Sequence, residues 1–387
     1  MKIKIINNQI DLTKENILKI AGSYANICYS HKNYDDFCNS ERNTKIAEHC
    51  IKSGHHSIFD HINITFSLEN IPKLIVLMLN NIGMYNTSEK SGRYTQFDVD
   101  KYPIYKKWIG LFEKVILNTN SVKQHIKDDL KLVNKLAMEN ARYFLPIDFE
   151  TNLIYTISIR NVSYLYDALV KLIEKYKKDI CLNEEVSFIT SFKNKLIEVC
   201  PFIEELKIFP KHGNNNLLNR IDFWRIPKVE CDWDITPFTS GTDDDDIYRI
   251  TYDCSYACLG QLQRHRTIKL HFSFCNSNGF YTPPILREKE NKRYLEEYTK
   301  DYWECIYTPM ADLIEVTETG TIGDFKLKSL ERLCSRPQLE ITNLTRRYIE
   351  ELNITSFNKN DKLVAKCGTK ECLEPCKYGI TGLDRII

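Results

Sequence analysis

The chain reads as an α+β protein of two domains, on three observations. Its 387 residues fit two ordinary domains better than one. Residues 62–68 (I-N-I-T-F-S-L) and 247–253 (I-Y-R-I-T-Y-D) alternate with the two-residue period of a half-buried strand, and helix-like stretches follow each. Between them, residues 207–219 carry Pro210, Gly213 and three consecutive asparagines, the composition of a linker. Domains at 1–208 and 218–387 are therefore expected.

In chain order, residues 41–53 have the spacing of an amphipathic helix and run into the polar turn G-H-H-S-I-F-D-H (Gly54 to His61) and the first strand. Pro72 suits the first turn of a helix over 73–81, since its missing N–H is an orphan there anyway. Longer helices are expected at 104–118, 122–143 and 162–177. Past the linker the order partly repeats, as diverged copies of one unit would: a polar turn (240–246), a strand, and an apolar helix-like segment. A final helix is expected over 327–351, with an Arg-rich face. The run Asp243 to Asp246 lacks the Gly and Glu of a calcium loop, so a solvated loop or helix start is expected. The stretch around Tyr302, Trp303 and Tyr307 reads as core.

With 53 basic and 52 acidic side chains, the composition gives no support to a polybasic nucleic-acid binder, although a local basic pocket fits. The N-terminus does not resemble a signal peptide and the longest apolar run, 74–79, is too short to span a membrane, so no membrane partner and a cytoplasmic location are expected. Most of the 14 cysteines are scattered. Cys367, Cys372 and Cys376 cluster, and read either as separate thiols or, with Cys334, as a closed structural zinc site.

Two basic motifs carry most of the functional signal: E-K-S-G-R-Y (Glu89 to Tyr94) and Q-L-Q-R-H-R (Gln261 to Arg266). With G-H-H-S-I-F-D-H, A-R-Y-F-L-P (Ala141 to Pro146) and E-R-L-C-S-R-P-Q-L-E-I (Glu331 to Ile341), they resemble the flavin-dependent thymidylate synthases. That family's signature is Q-x-x-R-H-R followed closely by E-x-S-x-R-Y. Here the first half has M-L-N-N-I-G (Met78 to Gly83) where Q-x-x-R-H-R belongs, and the second half has L-H-F-S-F-C-N (Leu270 to Asn276) where the serine-arginine loop belongs. The resemblance thus covers two complementary, partly degenerate copies. It implies that each is a thymidylate-synthase-complementing-type domain with a small, mostly antiparallel sheet packed with long helices.

The resemblance also implies a role for each residue. Glu89, Ser91, Arg93, Arg142, Gln261 and Arg332 would bind deoxyuridylate (dUMP). His55, Ser57, Arg264, His265, Arg266 and Arg336 would lie by FAD, with Arg264 or Arg266 polarising the uracil carbonyl in catalysis. Reductive methylation would consume methylenetetrahydrofolate and NADPH. A homodimer would mimic the family's homotetramer, with one site shared between the halves. Arg is apt at such a site because its planar fork grips phosphate oxygens bidentately. Departures are Asp60 for the family's Glu and Leu339 for its Trp; Arg160 and Asn161 would stand in for missing flavin contacts. Competing readings are a catalytically silent pyrimidine-nucleotide-binding or regulatory protein, and a related flavin-dependent enzyme acting on another pyrimidine nucleotide.

Overall fold

The computed structural model describes residues 1–6, 11–92, 97–210, 221–222, 236–241, 243–273, 279–334 and 336–351. The chain divides into two compact units, Met1–Lys90 with Asp148–Arg220, and Ser91–Ile147 with Ile221–Ile387. Compactness thus partitions the chain differently from the sequence halves 1–208 and 218–387.

The first unit holds a four-stranded antiparallel sheet of β1 (Lys2–Ile5), β2 (Asn63–Pro72), β3 (Asn86–Glu89) and β4 (Glu150–Ser158), in the order β1-β2-β4-β3. Ile64, Phe66 and Leu68 of β2 and Leu153, Tyr155 and Ile157 of β4 alternate inward and are buried, as the period of a one-sided sheet requires. The helix Ile159–Tyr176 buries Val162, Leu165, Leu169 and Leu172 along one stripe. The helices Lys14–Asn26 and Arg42–Ser53 meet at Gly22, where a Cβ would stand 1.8 Å from the Asn43 carbonyl oxygen. Gly54 ends the second of these at φ 80°, the left-handed conformation that glycine takes without strain, and delivers the chain into the 3-10 turn His56–His61.

The second unit holds β5 (Ile221–Asp222), β6 (Thr236–Thr239), β7 (Ile247–Ser255), β8 (Lys269–Ser273) and β9 (Leu313–Thr321), in the order β5-β8-β9-β7-β6; every pairing is antiparallel except β5 with β8. The α+β expectation therefore holds. Helices Pro103–Asn118 and Leu130–Ala141 belong to this unit, though they lie between β3 and β4 in the chain. They are tied to the helix Lys292–Glu304: Asp301 accepts from Trp108 Nε1 and Lys107 Nζ, both at 2.7 Å, and Trp108 stacks on Phe144.

Three expectations need correction. The single helix over 122–143 is broken, because Asp129 leaves the helical region (φ −99°, ψ 90°) and its carboxylate caps Leu130–Ala141 by accepting from the N–H groups of Lys131 and Leu132. The helix over 327–351 is also two, Ile322–Arg332 and Leu339–Glu351; Pro337 stands in the break, where it lacks a donor and restricts Arg336. Tyr302 is core, but Trp303 is 62% exposed on the outer face of its helix. The acidic run is the expected loop: Asp246 accepts from the Asp243 N–H and the Ser240 hydroxyl, and Asp244 pairs with Lys326.

Candidate functional site

The second unit gathers Arg142, Gln261, His265, Arg332 and Gln338 into one hydrogen-bonded cluster. Gln261 lies in the last turn of the helix Tyr256–Leu262, which begins directly from β7 because Ser255 caps it, its hydroxyl accepting from the Cys258 N–H at 3.0 Å. Buried Glu340 holds that cap. It accepts from the Ser255 N–H at 2.8 Å, the Ser255 hydroxyl at 2.6 Å and the Tyr143 hydroxyl at 2.7 Å. Burial pushes the Glu340 carboxyl above its usual range, partly offset by these donors and by Arg142. Tyr143 adjoins Arg142, so one carboxylate fixes both the helix carrying Gln261 and the turn carrying Arg142.

Arg142 donates to the Ala257 carbonyl at 3.0 Å and to Gln338 Oε1. Gln261 Nε2 donates to the same oxygen at 2.8 Å, and Gln261 Oε1 accepts from the Gln338 N–H at 3.3 Å. Arg332, in the last turn of its helix, donates through Nη2 to the Gln261 carbonyl at 2.9 Å and through Nε to His265 Nε2 at 2.7 Å. Arginine cannot accept, so His265 is the neutral tautomer with its proton on Nδ1. Burial, Arg332 and Lys328 together push its pKa down to about 3.

Beneath Arg332, Lys328 lies one turn earlier on the same helix face, fully buried against Glu318 of β9. Glu318 also accepts from Tyr248 at 2.5 Å and Tyr252 at 2.7 Å, so the buried charge is multiply hydrogen-bonded. This ion pair fixes the rotation of the helix that aims Arg332.

Of the residues expected from sequence, Arg142, Gln261, His265 and Arg332 thus meet. Arg264 and Arg266 are exposed on either side of His265, and Arg336 is half-buried before Pro337. Ser91 is half-buried; Arg93 lies outside the described residues, as do Cys367, Cys372 and Cys376. Glu89 belongs to the first unit, buried with Lys73 at 2.6 Å. His55 and Ser57 are exposed there, beside an Asp60 that pairs with Arg160 at 2.6 Å and accepts from Ser158 at 2.9 Å. Cys334 is a free thiol, and among the described residues no group of three His, Cys, Asp or Glu side chains is placed to hold a metal. No described helix is long and apolar enough to cross a membrane. Gln338 and Glu340 were not singled out as site residues, although the spacing R-x-x-x-x-x-Q-x-E-I contained both.

The model of one family, the thymidylate synthase complementing proteins, matches residues 10–170. Among similar proteins, a flavin-dependent thymidylate synthase of Clostridium tetani is 24% identical over 164 residues, 37% of this chain and 66% of that protein. One of Pseudothermotoga lettingae is 28% identical over 138 residues, 33% of this chain and 61% of that protein. The chain thus spans just under two thirds of the length of these relatives. Solved structures match with lower identity: the Helicobacter pylori enzyme ThyX complexed with FAD and dUMP (16% identity, TM-score 0.31, 53% of this chain and 99% of that one). Another is the UMP/dUMP methylase PolB of Streptomyces cacaoi (13%, TM-score 0.31, 54% and 95%). Scores that low carry no argument about the site. Over residues 10–170 the chain is thus similar to the thymidylate synthase complementing proteins, and the curated relatives it matches are flavin-dependent thymidylate synthases.

Proposed function

We propose that the chain is a flavin-dependent thymidylate-synthase-like enzyme that methylates dUMP reductively, with methylenetetrahydrofolate and NADPH as co-substrates. The observation that carries this reading is the cluster around Gln261. Arg142 comes from the first half of the sequence and Gln261, Arg332 and Gln338 from the second, yet local packing makes them one donor-rich constellation. Two guanidinium groups and two carboxamides suit a ligand with anionic and carbonyl oxygens.

In this reading Arg142, still donating to Gln338, and Arg332 reach phosphate oxygens, Gln261 holds the edge of the uracil ring, and Glu89, Ser91 and Arg93 complete the nucleotide site. Fixing the ring in one orientation supplies much of the rate gain. The exposed guanidinium groups of Arg264 and Arg266 fit a dinucleotide's pyrophosphate, which supports FAD as the cofactor; FAD, when bound, supplies the hydride chemistry. His55, Ser57, His265 and Arg336 are its further proposed ligands. A cation at Arg264 or Arg266 stabilises charge developing on the uracil carbonyl. The two halves descend from one duplicated unit and share a site, and two chains pair in solution.

The test is the visible spectrum of the purified chain, followed by turnover of dUMP with methylenetetrahydrofolate and NADPH. Flavin absorption and thymidylate formation are expected, with one flavin and one nucleotide per chain. A colourless protein that does not turn over dUMP sinks the enzyme reading, and two of each ligand per chain sinks the shared site.

A further inference from the structure

The carboxamide of Gln338 is satisfied on one side only. Its Oε1 accepts from Arg142 and from Gln261, whereas its Nε2 is buried with no acceptor in reach. The side chain is 2% exposed, so solvent does not serve it. A buried amide N–H without an acceptor forfeits its hydration for nothing, and folded proteins leave few such groups unexplained.

Rotating the amide does not help. Arg142 is a donor only, so the Gln338 atom that faces it must be the oxygen. Gln261 is oriented in the same way, because its Oε1 is claimed by the Gln338 backbone N–H and its Nε2 therefore turns to Gln338 Oε1. The chain of dipoles has one consistent direction, and it ends in an N–H that lacks an acceptor. The two side chains that hold Gln338, Arg142 and Gln261, are those assigned above to the nucleotide's phosphate and ring edge.

We propose that Gln338 is the residue that reads the pyrimidine, its Nε2 donating to a ring carbonyl, so that the site selects a 4-oxo over a 4-amino pyrimidine nucleotide. The inference rests on the pyrimidine-nucleotide reading of the cluster. A 4-amino group would set one donor against another and leave both buried without an acceptor, the kind of mismatch by which hydrogen-bonding sites discriminate.

Calorimetric titration of the full chain with dUMP and, separately, dCMP tests this. The wild type is expected to bind dUMP tighter by about tenfold or more, the worth of one buried hydrogen bond plus the mismatch. Gln338→Leu should bring the ratio near one, chiefly by weakening dUMP. Gln338→Glu keeps an oxygen towards Arg142 and Gln261 and puts an acceptor where the NH2 group stood, so its preference should tilt to dCMP. A purely structural Gln338 would weaken both nucleotides equally and leave the ratio unchanged in both variants, which overturns the proposal. If the wild type binds neither nucleotide, the nucleotide reading itself falls and this inference with it.

Discussion

β2 and β7 stand at the same place in their sheets, and each feeds straight into a seven-residue helix, Lys73–Leu79 and Tyr256–Leu262. The ladders close alike, Pro72 opposite Glu150 and Ser255 opposite Leu313; β2 differs by a register shift between Leu68 and Ile71. In both units the next strand, β3 or β8, joins the far side of the sheet, and helices precede the last strand, β4 or β9. Yet the two short helices serve different ends. Every side chain of Lys73–Leu79 is buried, its cap is a proline without a side-chain acceptor, and Met78 holds the sixth position. The other helix has a serine cap pinned by Glu340 and carries Gln261 at the sixth position. One frame therefore accommodates a core peg or a polar pedestal, depending on one cap and one side chain. That parallel supports the proposed duplication.

The largest expected effect separates buried from exposed ion pairs. Lys328→Ala strands the Glu318 carboxylate in the core and should cost about 3–5 kcal/mol in denaturant unfolding, whereas Lys4→Ala, which breaks the exposed 3.8 Å contact to Glu69, should cost about 0.5 kcal/mol or less. Equal costs would remove Lys328 as the anchor of the Arg332 helix.

Next in size is the contrast between the two helices as ligand platforms. Arg332→Ala should weaken dUMP binding by about a hundredfold in calorimetry, since it deletes a charged donor from a partly buried network. Met78→Leu, at the position matching Gln261, should leave binding unaltered and stability within about 1.5 kcal/mol. Nucleotide binding that responds to Met78 instead would reverse the assignment.

The caps give a smaller difference. Ser255→Ala removes the acceptor for Cys258 N–H and a donor to Glu340, and a loss of about 1–2 kcal/mol is expected in thermal or denaturant unfolding. Pro72 offers no side-chain cap to lose.

A further contrast, confined to acid, concerns pH. His265 is held down to about 3 in the folded chain, by burial first and then by Arg332 and Lys328. An unfolded histidine titrates near 6.5, so below about pH 6.5 the unfolded chain takes up a proton that the folded chain refuses. The stability owed to the neutral ring is full above that pH and is lost progressively as pH falls towards about 3. A Tm series from neutral to acidic pH should therefore fall less steeply in His265→Gln than in the wild type, and parallel curves would count against a buried neutral imidazole.

Some of this was legible locally. The alternation in β2 and β7 reflects the two-residue period of a strand, and β4 and β9 alternate as plainly once sought. The breaks at Asp129 and Pro337 follow from a capping carboxylate and a missing N–H, both visible in the residue types. Glu340 was less legible. A Glu in an apolar helix reads as a surface charge until Tyr143, almost 200 positions away, is seen to donate to it. The exposure of Trp303 was equally hidden, because an aromatic run states composition and not facing.

The sequence by itself determined the α+β class, the paired strand-then-helix pattern and the motifs that carry the family resemblance, since periodicity, caps and spacing act within a few residues of chain. Only the tertiary structure decided that Arg142 meets Gln261 and Gln338 while Glu89 is buried with Lys73 in the other unit. Such pairings are set by which buried polar groups find partners once the helices pack, and that accounting closes over the whole fold and never within one segment.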